Sequence, residues 1–447
     1  MTDYEKINQK GYLQKMIWPI FIELILQMLV GNVDQIMVGK YSANAVGAIA
    51  NANQIMNLLI IIFSVICTAT TIIISLYLGA GDKKKVEQTY TLSIFVNFIF
   101  SLIISFVFLV FGRQILEWLK VPYDIIGETE SYIKIIGSFI FLQSIYLTFG
   151  AILRSNTFMK YSMIVSFIVN AINIGGNFIL INGFGNIPAM GVAGAAVSSN
   201  ISRFIGVIVI YIIFRKKTGA KLRLSHIYPF PFGEFKKLMG IGIPSGGESL
   251  SYNLSQIAIQ RMINTFGSAI ISTKAYASIF ANFSYVYGAA VSQAGQIMVG
   301  YLIGAGDVEN TEKRVWKTLR IAMITALVIS VTIFFVSDYC FGFFTDNREV
   351  IELGKKIMFI DIFLELGRSC NMIFVRALSA AGDIKFPITL GIINVWLVAV
   401  LGGFILSEVF GLGLVGIWIA MTADECIRGI VFIFRWKSGV WKNKKII

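Results

Sequence analysis

Three polar side chains interrupt the apolar run Pro19 to Gly39, which reads PIFIELILQMLVGNVDQIMVG: Glu23, Gln27 and Asp34. At roughly 100° per residue the eleven-residue step from Glu23 to Asp34 closes three helical turns, so all three fall on one stripe. The two carboxylates then stand about 16 Å apart along the axis. An ionisable group inside a membrane-spanning helix is costly, and it characteristically faces a cavity or a partner on an ion or substrate path. Further on, Ser166, Asn170, Asn173 and Asn177 share a helical face, and their amides are suited to complete a cation site with Asp34. If Na⁺ is the ion, Asp34, Asn173 and Asn177 supply oxygens for it. Glu248, Ser251, Tyr252 and Ser255 form a second stripe. Asp361, Glu365 and Arg368 form a third, with Glu365 and Arg368 spaced to pair across one turn and Asp361 left for substrate or a second ion. We group Glu23, Gln27, Glu248, Ser251, Tyr252, Asp361, Glu365 and Arg368 as a candidate substrate or second ion site. Asp424, Glu425 and Arg428 read as a structural pair, and Arg154 and Arg203 as snorkelling or loop-holding residues.

The elements that must position these residues are membrane helices. The chain of 447 residues is 56% hydrophobic and only 14% charged, whereas a soluble domain carries about 25% charged residues. Twelve apolar segments are long enough to span, near 15–38, 51–78, 91–111, 132–154, 162–182, 192–214, 238–264, 276–303, 317–337, 356–379, 386–407 and 412–434. The net charge of +13 does not point to nucleic acid, because the basic residues collect in short loops and the tail. One side gathers Lys6, Lys10, Lys15, Lys83 to Lys85, Lys160, Arg215 to Lys217, Lys236, Lys237, Lys313, Arg314 and the tail from Arg435 to Lys445. That bias places both termini in the cytoplasm. The opposite side, as in EWLKVPYDIIGETE and TDNREVIELGKK, mixes acids with sparser bases.

The chain also repeats itself. Pro19-x-x-x-Glu23 returns as Pro244-x-x-x-Glu248, and Gly79-Ala-Gly-Asp82 as Gly304-Ala-Gly-Asp307, at one offset of 225 positions. Lys160 and Lys385 share it, and Gly191 and Gly194 match Gly413 and Gly416 at 222. Six spans per half return the chain to its starting side, so the halves are expected to be related by a pseudo-two-fold axis along the membrane normal, a known transporter plan. The expected domains are an N-terminal six-helix lobe over 1–214, a basic cytoplasmic linker over 215–237, and a C-terminal lobe with its tail over 238–447.

Pro19 to Gly39 with its VDxxMVG ending, LGAGD after the second span, RALSAAGDIKFP from Arg376, GVAGAA from Gly191 and GLVGIWIA from Gly413 together resemble the multidrug and toxic compound extrusion (MATE) transporters. The likeness covers essentially the whole chain. It implies an all-α integral membrane fold of twelve transmembrane helices in two pseudo-symmetric six-helix bundles arranged as a V. It also implies secondary antiport: export of organic cations or drugs in exchange for H⁺ or Na⁺ by alternating access. In the family the first-helix acid, here Asp34, is a cation-site residue. Some members carry another acid in the fifth helix where this chain has Asn173 and Asn177, and the residue that repeats Asp34 is the apolar Ile259.

No phosphate-cradling G-x-x-x-x-G-K-[ST] run occurs, so no nucleotide-driven pump is expected. A single histidine, His226, and four scattered cysteines offer no catalytic or metal cluster, so neither an enzyme nor a cofactor is expected, nor a metal beyond Na⁺ at Asp34. The competing reading is a flippase or exporter of a lipid-linked or other amphipathic metabolite, whose diphosphate cargo would call for a cavity lined by arginines. We expect a multi-pass protein of the plasma (inner) membrane that works as a monomer in the lipid bilayer.

Overall fold

A computed structural model describes residues 7, 9, 11–39, 42–444 and 446–447. Of the basic residues used above for orientation, Lys6, Lys10 and Lys445 lie outside them. The described chain is helical almost throughout, with one isolated β-bridge between Phe184 and Ile187. The helices are α1 (Tyr12–Gly39), α2 (Ala43–Gly79), α3 (Lys83–Trp118), α4 (Tyr123–Ser138), α5 (Ile140–Ser155), α6 (Met159–Asn182) and α7 (Gly191–Thr218). They continue as α8 (Phe232–Ile263), α9 (Ser268–Gly304), α10 (Val308–Phe335), the short α11 (Ser337–Gly342) and α12 (Arg348–Ala380). The last two are α13 (Lys385–Val409) and α14 (Gly413–Lys437).

Among the described residues seven helices are long and apolar enough to cross a membrane, and an eighth span arises if α4 and α5, bent by 51° at Phe139, are one. Of the remaining long helices, α8, α12 and α14 carry the polar and charged residues singled out above, and α9 is rich in serine and tyrosine and holds Lys274. That polarity is why hydropathy alone does not flag them.

Helix α3 shows the solvent for which the fold is built. It buries Thr89, Ser93, Asn97, Ser101 and Ser105, one per turn, and exposes Ile103, Phe106 and Leu109. This inverts the pattern of a helix in water, and it suits a bundle whose outside is hydrocarbon and whose interior is held by small and hydrogen-bonding residues. Asn97 Nδ2 donates to Thr148 Oγ1 of α5 at 2.7 Å, and Ser144 Oγ of α5 donates to the Asn97 carbonyl at 3.1 Å.

The repeated Gly-Ala-Gly-Asp sequence is one device used twice. In the first copy Asp82 N–H bonds back to the Tyr77 carbonyl at 3.0 Å, closing α2, and its carboxylate accepts from Lys85 N–H at 3.0 Å, opening α3. In the second, Asp307 N–H bonds to the Leu302 carbonyl at 2.9 Å and its carboxylate accepts from Asn310 N–H at 3.0 Å, between α9 and α10. The residue before each aspartate, Gly81 (φ +74°) or Gly306 (φ +76°), is left-handed, which only glycine adopts without strain. Each aspartate cap contributes about 1 kcal/mol.

The chain divides into two compact units. One comprises residues 18–78 and 82–242, the other residues 1–17, 79–81 and 243–447. The first has its apolar core around Ile49, Phe63, Ile133, Ile181 and Ala195. The second is centred on Ile259, Phe341, Ile357, Leu364 and Trp418.

Candidate functional site

In the first unit, Asp34 of α1 is 2% exposed. Its carboxylate meets three neutral donors from three other helices. Asn177 Nδ2 of α6 donates to Oδ1 at 2.5 Å, Ser199 Oγ of α7 donates to Oδ2 at 3.2 Å, and Tyr132 of α4 reaches Oδ2 at 3.5 Å. Asn173 supports Ser199 by donating to its Oγ at 3.0 Å. The side-chain amide oxygens (Oδ1) of Asn173 and Asn177 are buried without a hydrogen-bond partner among the described residues. Among the described residues no ion pair to Asp34 is found, and Arg203 acts on it only through space. The cluster is thus an ionisable carboxyl beside two unused acceptor oxygens, a donor set suited to a proton or a hard monovalent cation.

The helices bring these groups together because α6 and α7 approach at van der Waals limits. A Cβ on Gly194 would lie 2.4 Å from the Leu180 carbonyl oxygen, and Ser198 Oγ donates to the Asn173 carbonyl at 2.9 Å. Asn170, on the same face as Asn173 and Asn177, instead turns its amide to the Ser166 carbonyl of its own helix at 2.8 Å. It makes no hydrogen bond to Asp34. The sequence reading missed Ser199 and Tyr132. A signal for the first exists: Ser198-Ser199-Asn200 is a polar triplet in an apolar span.

Glu23 is also buried, yet its setting differs. Its Oε1 accepts from Arg154 Nη1 at 2.5 Å, Ser162 Oγ at 2.9 Å and Gln27 Nε2 at 3.3 Å. Arg154 therefore corrects the expectation of a snorkelling residue: it is the fixed counter-charge of Glu23. Glu23 and Gln27 share the stripe with Asp34, but only Asp34 lacks a cationic partner.

In the second unit the acids of α12 and α14 are cross-linked by arginines. Arg368 pairs with Glu365 and reaches Glu425 at 3.6 Å. Arg428 pairs with Asp424 at 2.5 Å and Glu425 at 3.2 Å, while Asn371 donates to Glu425 at 2.7 Å and Asn394 to Asp424 at 2.7 Å. Asp361, 4% exposed, accepts from Trp418 Nε1 at 3.1 Å and makes no ion pair among the described residues. Glu248 lies beside Gly391, whose added Cβ would sit 3.3 Å from its Oε1. Ser251 accepts from Trp396 Nε1 at 3.0 Å. Asp361, Arg368 and Tyr252 border a cavity of about 250 Å³, together with Tyr285, Ile259 and Lys274. Neither Glu248 nor Ser251 lines it. Lys274 is a cavity cation that the sequence reading passed over, because a lone lysine near the start of α9 looks like a helix-end residue.

Ionisable residues buried inside all-helical units, beside an outward face as apolar as that of α3, place the chain among multi-pass membrane proteins. The MatE sequence profile matches residues 19–179 and 244–405, one block in each half. The chain belongs to the MatE (MATE) transporter family. It is 38% identical over 427 residues to YisQ, an uncharacterized transporter of Bacillus subtilis (strain 168), covering 96% of this chain and 94% of that one. It is 25% identical to a probable multidrug resistance protein NorM of Thermotoga maritima, covering 97% and 93%. A crystal structure of a MATE protein in the bent conformation superposes with a TM-score of 0.90 at 18% identity, covering 99% of both chains. The protein is a multi-pass membrane transporter and not an enzyme.

Proposed function

We propose that this transporter is a secondary antiporter that exports organic cations or drugs in exchange for H⁺ or Na⁺. The observation that carries the reading is the contrast between the two α1 carboxylates. Glu23 is neutralised by Arg154, whereas Asp34 has only neutral donors and two orphaned amide oxygens around it. A buried carboxylate with no ion-pair partner, held only by neutral donors and the distant field of Arg203, favours taking up a positive charge. When the ion from outside binds, Asp34 no longer pulls on Asn177 and Ser199 as an anion does. The packing of α1 against α6 and α7 relaxes, and the affinity for the exported cation falls. Release of the ion inside restores the charge and the binding-competent state. In this scheme residues 1–214 and 238–447 act as the alternating lobes and 215–237 as their cytoplasmic link. Both termini face the cytoplasm, the protein sits in the plasma membrane, and a monomer suffices.

The test is ethidium efflux from proteoliposomes under an imposed pH gradient and, separately, an imposed Na⁺ gradient. The intact chain is expected to respond to one of them, and Asp34→Asn to neither. Undiminished gradient-driven efflux by Asp34→Asn removes the residue from the scheme.

A further inference from the structure

The linker that leaves α7 carries cations and large apolar side chains in alternation. Over residues 219–232 it reads GAKLRLSHIYPFPF, with Lys221 and Arg223 exposed and Leu224, Tyr228 and Phe232 exposed by 82%, 87% and 73%. It is a shaped segment: a 3₁₀ turn spans Leu224–His226, and Tyr228 N–H donates to the Leu224 carbonyl at 3.1 Å. His226 Nδ1 meets Thr91 Oγ1 of α3 at 3.2 Å. Thr91 opens the apolar run 91–111, so this contact holds the linker at the level where α3 enters hydrocarbon. Apolar side chains that stand this far out cost free energy in water and mark a surface that something covers. The apolar run of α6 begins at 162 and that of α7 ends at 214, so Lys160, Tyr161, Lys216 and Lys217 sit at the same level. Lys217 Nζ is 4.4 Å from the centre of the Tyr161 ring, and Lys160 and Lys216 act on the Tyr161 hydroxyl through space. No Asp or Glu occurs from residue 131 to residue 233. Among the described residues none of the exposed cations Lys160, Lys216, Lys217, Lys221 and Arg223 forms an ion pair. Glu87, one turn before Thr91 on α3, is a single negative charge against these five.

We propose that this surface of the first unit, the linker with the adjoining ends of α6 and α7, binds anionic phospholipid. Lys160, Lys216 and Lys217 with the Tyr161 hydroxyl hold the phosphate through charge-assisted hydrogen bonds. Leu224, Tyr228 and Phe232 enter the boundary between headgroups and acyl chains. Neither feature alone selects a lipid. Cations in water suit any anion, but cations at the hydrocarbon level, beside outward apolar side chains, suit a molecule with a charged head and an apolar tail. Only the assignment to the cytoplasmic leaflet rests on the orientation proposed above. Binding itself needs neither that orientation nor the exchange scheme.

The full chain carrying Tyr228→Trp is placed in nanodiscs of equal parts phosphatidylcholine and phosphatidylglycerol, with dibrominated acyl chains on one lipid or the other. Bromine quenches tryptophan emission at short range, and the signal of the native tryptophans is subtracted using the parent chain. The added tryptophan is expected to be quenched about twofold more strongly when phosphatidylglycerol carries the bromine. Phe106→Trp, on the outward face of α3 away from the patch, should be quenched equally by the two. Combining Tyr228→Trp with Lys160→Gln, Lys216→Gln and Lys217→Gln should abolish the preference, whereas the three lysine-to-arginine changes should keep it and show that its loss is not misfolding. No quenching of Tyr228→Trp means that the linker faces water and awaits a soluble partner, and it overturns the proposal. Equal quenching by both lipids, or the same preference at Phe106→Trp, overturns it too. Because both leaflets of the disc are alike and no gradient is imposed, failure of the exchange scheme leaves this result untouched.

Discussion

Glu23 and Asp34 are the same kind of acid on one stripe of the same helix, and the residues around them leave the first paired with an arginine and the second held by neutral donors. In the Glu23–Arg154 pair Glu23 is buried and Arg154 nearly so, so breaking it leaves an unpaired charge in a place that solvates it poorly. Arg154→Gln is expected to cost on the order of 3 kcal/mol, read as a lowered midpoint in a detergent thermal-unfolding assay. Glu23→Gln combined with Arg154→Gln should recover part of that loss. The sign of this pair's contribution was not legible in the sequence, because Arg154 is 131 positions from Glu23 and no local spacing links them. Asp34 with Asn173 and Asn177 was legible, since a carboxylate and a helical line of amides are rare in apolar spans. Ser199 and Tyr132 were not, because hydroxyls in membrane helices are common glue.

Glu234, in the first turn of α8 ahead of its apolar stretch, offers a pH readout at the same scale. Burial alone would raise its carboxyl, but donors from Lys85 at 2.9 Å, Tyr77 at 2.7 Å and Lys237 at 3.3 Å prevail and hold it below its ordinary value of 4.5. A carboxyl depressed in the folded state stabilises fully above its unfolded value, and that stabilisation is lost as pH falls through the folded value. Glu234→Gln should therefore lower the thermal midpoint near neutral pH, and the gap to the parent chain should shrink below about pH 4. A gap that is constant across that range would mean that packing, not charge, holds this contact.

At the scale of elements the decisive feature is how closely α6 and α7 approach. Gly194 has backbone atoms of Leu180 within 2.4–2.6 Å of where a Cβ would sit, so Gly194→Ala must push the two helices apart. Overpacking of this kind costs about 1–3 kcal/mol, and here it also moves Ser199 and Asn177 relative to Asp34. The expected result is folded protein with sharply reduced ion-driven efflux. Efflux equal to the parent would show that the Asp34 cluster tolerates that shift. Gly416, which repeats Gly194, meets the Leu406 carbonyl carbon at 2.7 Å, so the equivalent contact recurs between α13 and α14. The repeat was readable from an ordered run of matches at near-constant offset, in which Gly194 and Gly416 are one pair beside Pro19 and Pro244, Glu23 and Glu248, and the two Gly-Ala-Gly-Asp turns. The 51° bend between α4 and α5 was passed over: the span at 132–154 looks continuous by hydropathy, although Gly137-Ser138, directly before the break at Phe139, is the kind of pair at which helices kink. In α13, too, the backbone is π-helical over Val395–Leu401 and Ile405–Val409, a distortion that side-chain periodicity does not announce.

For the molecule as a whole, the basic loops predict which face is which. With the four native cysteines replaced, a cysteine introduced at Asp346 should react with a membrane-impermeant maleimide in intact cells. One at Ser225 should react only after permeabilisation. The reverse pattern would invert the orientation and, with it, the side from which Asp34 is loaded. Composition settled the membrane class at once, and the repeat settled the duplicated plan. What sequence could not supply is which copy keeps which side chains in contact, since that depends on helices as much as 165 positions apart.

Ile259, which stands where Asp34 stands in the other copy, lines the cavity that holds Lys274. Duplication thus began with two equivalent positions, and only one now bears an acid. In the proposed exchange scheme only the first copy offers an acid of the Asp34 type, while the twin position, relieved of charge, is plain apolar wall.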